Sequence, residues 1–99
     1  MNELLAVIKT ALKVSGTALD TEITRYINAC LKELQRVGIV INADSYSEPL
    51  IISAAELYCK WQYDYLGQGE RFEKAFSDLR NALSLTSAYT TEVTDNGTE

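Results

Sequence analysis

The stretch Ser47–Leu66, SEPLIISAAELYCKWQYDYL, decides how this chain folds. It holds the only Pro, the only Trp, one of the two Cys and three of the six Tyr. Pro49 suits the first turn of a helix, where its missing N–H has no partner to lose, and Ser47 or Glu48 stands in place to cap it. Ile51, Ala54, Ala55, Tyr58, Trp61 and Tyr65 then recur at steps of three and four and share one helical face. Leu50, Leu57 and Leu66 widen that face, and Gly67 offers a stop. At a rise of about 1.5 Å per residue the helix is about 25 Å long. It is too apolar to stand alone in water, so other segments must lie against it.

Downstream, Gln68-Gly69 is a short link into a closing helix over 70–84. Phe72, Phe76, Leu79 and Leu83 form its apolar stripe, and so short a link makes the two helices antiparallel neighbours. Upstream, Thr17-Ala-Leu-Asp20 reads as a capping box opening a helix over 18–37. Its inner face is Leu19, Ile23, Tyr26, Ile27, Cys30, Leu31, Leu34 and Val37, its outer face carries Glu22, Arg25, Lys32, Glu33 and Arg36, and Gly38 ends it. Leu4, Leu5, Ile8, Ala11 and Leu12 predict a first helix over 3–13. The stretch 39–46 begins with β-branched Ile39-Val40-Ile41 and is expected to be extended or irregular, with Asn42, Asp44 and Ser45 making a turn. The fold class is therefore all-α, four helices in one unit over 1–85. The core is expected at Ile23, Ile27, Leu34, Ala54, Tyr58, Trp61, Phe72, Phe76, Leu79 and Leu83.

From Thr86 the periodicity stops. Residues 86–99 are polar and Thr-rich, with Tyr89 and Val93 as the only large apolar side chains. Such a segment cannot build a core, and it is expected to order only across an adjacent subunit or a neighbouring protein, with Tyr89 as anchor.

The chemistry of enzymes is sparse here. The chain has no His, which removes the commonest general base and metal ligand. Cys30 and Cys59 lie in separate helical patterns without metal-ligand spacing and read as buried thiols. No phosphate-binding or dinucleotide fingerprint is present. Asp64, amid Trp61, Tyr63 and Tyr65, has no partner for acid–base work and reads as a carboxylate near a helix end. No catalytic, cofactor-binding or metal-binding residue is assigned, and a non-enzyme is expected. With 14 acidic and 9 basic residues the net charge is −5, which lacks the basic footprint of a duplex-gripping protein. The start MNELLAVIK does not read as a secretory leader, and no apolar run approaches membrane-spanning length, so a chain made in a cytoplasm is expected. Tyr58, Trp61 and Tyr65 share the inner face of the central helix, whereas Tyr63 points away. Tyr63, Tyr65, Tyr89 and Val93 are the candidates for a protein–protein surface.

The order of these elements resembles the small head–tail connector proteins of tailed bacteriophages, the head-completion or DNA-packaging adaptors. The residues that carry the resemblance run from Leu4 to Tyr89. Thr17 and Asp20 open a helix with Ile23, Ile27, Ala29 and Leu34 that ends at Gly38. Glu48-Pro49-Leu50-Ile51, Ala54, Tyr58 and Trp61 lead to Gly67, and Phe72, Phe76, Leu79 and Leu83 precede Tyr89. Phe76 stands where a tyrosine is common in that family. The resemblance implies a structural virion protein that forms a homo-oligomeric ring of about twelve-fold symmetry. It implies a place at the neck below the portal protein, beside a further neck or tail protein, with DNA passing through the channel unread. Two other classes fit the bare pattern. A small helical regulator of antitoxin type would bind one protein partner, and a helix-turn-helix DNA binder would need a basic recognition helix that is not seen.

Overall fold

The computed structural model describes residues 2–90 of the chain. Among them there is no strand; the elements are helices and two short 3₁₀ turns. Helix α1 (Asn2–Leu12) seals Leu4, Ile8 and Leu12 into the core, one side of a short amphipathic helix. Helix α2 (Asp20–Arg36) buries Ile23, Ile27, Cys30, Leu31 and Leu34. It ends as its sequence asks. Gly38, at φ +97°, turns the chain, its N–H and that of Ile39 bond back to the carbonyls of Gln35 and Leu34, and Ile39 is buried behind them.

The start of α2 differs from expectation. Leu19 holds the cap position and no side chain caps the helix. Asp20 is the first helical residue, and its carboxylate pairs with Lys9 of α1 at 2.7 Å. Lys9 also donates to the Gly16 carbonyl, so one lysine binds the whole α1–α2 turn. A tertiary ion pair has taken the side chain that a local cap would use. Leu19, read as inner, is 38% exposed.

The IVI stretch joins neither a helix nor a strand, and residues 43–47 form a 3₁₀ turn. Asn42 accepts from the Asp44 N–H while Ser45 Oγ accepts from the Asn42 N–H, a reciprocal cap. Glu48 then caps helix α3 (Pro49–Gln62), its carboxylate accepting from the Leu50 N–H, with Pro49 at the first helical position. Ile51, Ala54, Ala55 and Cys59 are buried along α3. This helix is the hub: α1, α2 and α4 all pack on it.

Helix α3 stops at Gln62, four residues short of the expected Leu66. The reason is Asp64. It adopts the left-handed conformation (φ 48°), which a short acid side chain tolerates, and its Oδ1 accepts the Gly69 N–H at 2.7 Å. The residue read as a carboxylate near a helix end thus binds the start of α4 (Gly69–Ser84). A Cβ on Gly69 would stand 2.7 Å from that oxygen and 3.3 Å from the Asp64 Cα. Gly69→Ala is therefore expected to lower stability by about 1–2 kcal/mol, the scale of a lost helix cap. Urea denaturation followed by circular dichroism checks this, and an unchanged midpoint contradicts it.

Short links make the four long helices alternate in direction. One pole gathers the α1–α2 turn and the α3–α4 joint. The other gathers the α2–α3 link, the start of α3 and the end of α4. A single-turn helix α5 (Ser87–Thr90) sits at this second pole. Helix α4 packs chiefly on α3 and stands off from α2, so the molecule measures 46 × 26 × 18 Å rather than forming a square bundle.

Candidate interaction surface

The gap between α2 and α4 is a groove of about 520 Å³. Its floor is aromatic. The Tyr58 and Phe76 rings meet edge to face at 5.3 Å, Tyr58 and Trp61 at 5.4 Å, and Trp61 lies 6.2 Å from Phe76. Phe76 is fully buried, whereas Tyr58 and Trp61 are half-buried because the groove leaves one side of each uncovered. The rims carry Lys32, Glu33 and Arg36 from α2 and Glu73 and Arg80 from α4.

Glu33 ties the two rims. It accepts from Arg36 Nε at 2.8 Å and Nη2 at 2.7 Å, and from Arg80 Nη1 at 2.8 Å. The Arg36 hydrogen bonds, then its charge and the Arg80 contacts, hold the Glu33 carboxyl below its ordinary range against the opposing effect of burial. A depressed carboxylate contributes stability that is whole above its unfolded value and drains away as pH falls through the folded one. Glu33→Gln should thus lower the melting temperature at neutral pH and flatten its fall below about pH 4. Thermal melts of both proteins across that range check the prediction, and identical acid limbs contradict it.

The expected core residues separate into two groups. Ile23, Ile27, Leu34, Ala54, Phe76 and Leu83 are buried, and Tyr58, Trp61, Phe72 and Leu79 are half-buried at its edge. Of the expected surface residues, Tyr63 does not point freely away. Its hydroxyl donates to Glu22 at 2.5 Å and its ring meets Tyr26 edge to face at 5.3 Å. Burial and then the Glu22 bond push its hydroxyl pKa upward. Tyr65 is half-buried against Phe72, with Lys60 Nζ 5.2 Å above its ring. Together with Leu12, Val14 and Leu19 these two tyrosines line an apolar hollow at the joint pole. Beside it Leu66 is 77% exposed and has a left-handed backbone (φ 55°).

Tyr89 is not part of a loose segment. Its hydroxyl donates to Glu48 at 2.6 Å, and its carbonyl accepts the Val40 N–H at 2.8 Å. The expected anchor on a neighbour is engaged with its own subunit, because α5 turns back from α4 onto the start of α3. Val93 and the rest of 91–99 lie outside the described residues. The groove rims and Leu66 escaped sequence reasoning. Lys32, Glu33 and Arg36 read there as a solvated face, and Leu50 and Leu66, expected to widen the inner face of the central helix, are exposed instead because one lies in its first turn and the other beyond its end.

Burial pushes the Cys59 thiol up to about 12 and Cys30 further, so neither is a thiolate near neutral pH. Among the described residues no group of His, Cys, Asp and Glu can hold a metal ion, and no helix is long and apolar enough to cross a membrane. What the surface does present is an aromatic groove, an apolar hollow and exposed leucines. No curated protein and no solved structure gives a significant match. A family model described as phage connector protein matches residues 4–90, from the first buried leucine of α1 through the last residue of α5. Since that match takes in every helix of the fold, the chain belongs to the phage connector protein family, a structural and not a catalytic one.

Proposed function

We propose that this chain is one subunit of a head–tail connector ring of about twelve-fold symmetry. The ring docks beneath the portal protein at the capsid vertex and continues the DNA channel toward a further neck or tail protein. The family match over residues 4–90 carries this reading. The surface supports it. Rings need heterologous contacts, in which two different patches of one subunit meet on successive copies. The apolar hollow with Leu66 lies at one pole, and Leu85, 86% exposed, lies with Leu50 at the other. The strained Leu66 favours the same view. A bulky residue in the left-handed region costs about 1–3 kcal/mol, and Leu66 is left exposed in its own subunit. The net charge of −5 lets DNA pass with little adhesion. The protein acts by holding its neighbours and does no catalysis.

Light scattering and electron microscopy of the purified chain, alone and mixed with portal protein, test the proposal. Rings of roughly twelve times the mass of one chain are expected. A species that stays monomeric or dimeric under both conditions goes against it and favours a small regulator with one partner.

A further inference from the structure

The groove between α2 and α4 has an electrical direction. Lys32, Arg36 and Arg80 stand toward the pole where α2 and α4 end, and Glu73, near the start of α4, stands toward the other. Arg36 and Arg80 share the carboxylate of Glu33, so the first end keeps an excess of positive charge. Among the described residues neither Lys32 nor Glu73 has an ion-pair partner. Between the two ends lie the uncovered sides of Tyr58 and Trp61.

Helix α1 carries the complementary pattern. Glu3, Ala6, Val7 and Thr10 recur at steps of three and four and are all exposed, Val7 by 43%. Glu3 stands at the start of the helix, and the exposed Lys13 follows its last residue. Neither has an ion-pair partner among the described residues. The outer face of α1 is thus a small apolar patch with a negative charge at one end and a positive charge at the other. No residue of α1 lines the groove, because α1 packs in the other notch between α2 and α3. Patch and groove lie on opposite sides of α2 and cannot meet within one subunit.

Helix α1 runs opposite to α2 and α4, so Glu3 lies at the pole of the basic end and Lys13 at the pole of Glu73. A neighbouring copy set beside the groove without inversion therefore brings its Glu3 to Lys32, Arg36 and Arg80 and its Lys13 to Glu73. Glu3 to Lys13 is about 15 Å at a helical rise and Arg80 to Glu73 about 10 Å, a difference that long side chains cover. An inverted copy would set Glu3 against Glu73 and Lys13 against the basic end, like against like. The upright contact joins two different patches and repeats from copy to copy, as a ring requires.

Building on the ring proposed for this chain, we infer that the outer face of α1 of one copy fills the α2–α4 groove of the next. Ala6 and Val7 cover Tyr58 and Trp61, Glu3 faces Lys32, and the incoming helix becomes the fourth around α3.

The purified chain, alone and mixed with portal protein, carries the test. Glu3→Lys and Lys32→Glu should each weaken assembly about tenfold, and the two together should recover to within about threefold, because the swap restores the pair. All three proteins should keep the circular-dichroism signal, since both side chains are exposed. Val7→Cys and Ser77→Cys on one chain, treated with a short bis-maleimide, should give a ladder of covalent multimers. Either cysteine alone should give none, as Cys30 and Cys59 are buried. In a chain that forms rings, the absence of a ladder or a swap without recovery overturns the inference and leaves the ring standing. A chain that stays monomeric under both conditions overturns the two together.

Discussion

Phe76→Ala should lower folding stability by about 3–5 kcal/mol, the range for truncating a buried aromatic ring. Phe76 is 1% exposed and sits where α4 meets α3. It contacts Tyr58 edge to face, lies tilted against Trp61, and has the Arg80 guanidinium 6.0 Å from its ring centre. Its removal opens a cavity beneath the groove that neither half-buried neighbour can fill without leaving its own contacts. Small domains are stable by only about 5–15 kcal/mol, so this one change takes a large share of the total. The contacts between α2 and α3 do not involve Phe76, and α4 should loosen first. Guanidinium denaturation followed by Trp61 fluorescence and by circular dichroism checks both statements. A loss below about 1 kcal/mol would mean that α4 does not depend on this ring.

Leu66→Asn should separate folding from assembly. Asn tolerates the left-handed region that Leu66 occupies, so relief of backbone strain raises subunit stability by up to about 1 kcal/mol. Little packing is lost, because the leucine is 77% exposed. If Leu66 is a contact between copies, the same change replaces an apolar knob with an amide that must be desolvated, and assembly falls by tenfold or more, equivalent to about 1.4 kcal/mol. Urea denaturation of the subunit and light scattering of the assembled species give the two readouts. A more stable subunit that assembles less well supports the contact. Undiminished assembly removes Leu66 from it while leaving the ring open to test.

The sequence alone determined the helices, because the information that makes them is local. The Glu48-Pro49 start, the steps of three and four through Ala54, Tyr58 and Trp61, the stripe Phe72-Phe76-Leu79-Leu83 and the Gly38 stop all act within a few residues of one another. Short links then left few ways to arrange four apolar faces. The family resemblance was legible for the same reason, since it rests on the order of these local signals. The tertiary structure decided where helices end and what each polar side chain does. Asp20 gave up a local cap to pair with Lys9, and Asp64 ended α3 by holding Gly69. Tyr63 turned inward to Glu22 and Tyr89 docked on Glu48, each pair 41 residues apart, and Arg80 reached Glu33 across 47. No periodicity records such pairs. A side chain that reads as surface on its own helix becomes a bridge only when a second helix arrives beside it, and the packing of α4 against α3 but away from α2 is what opens the groove.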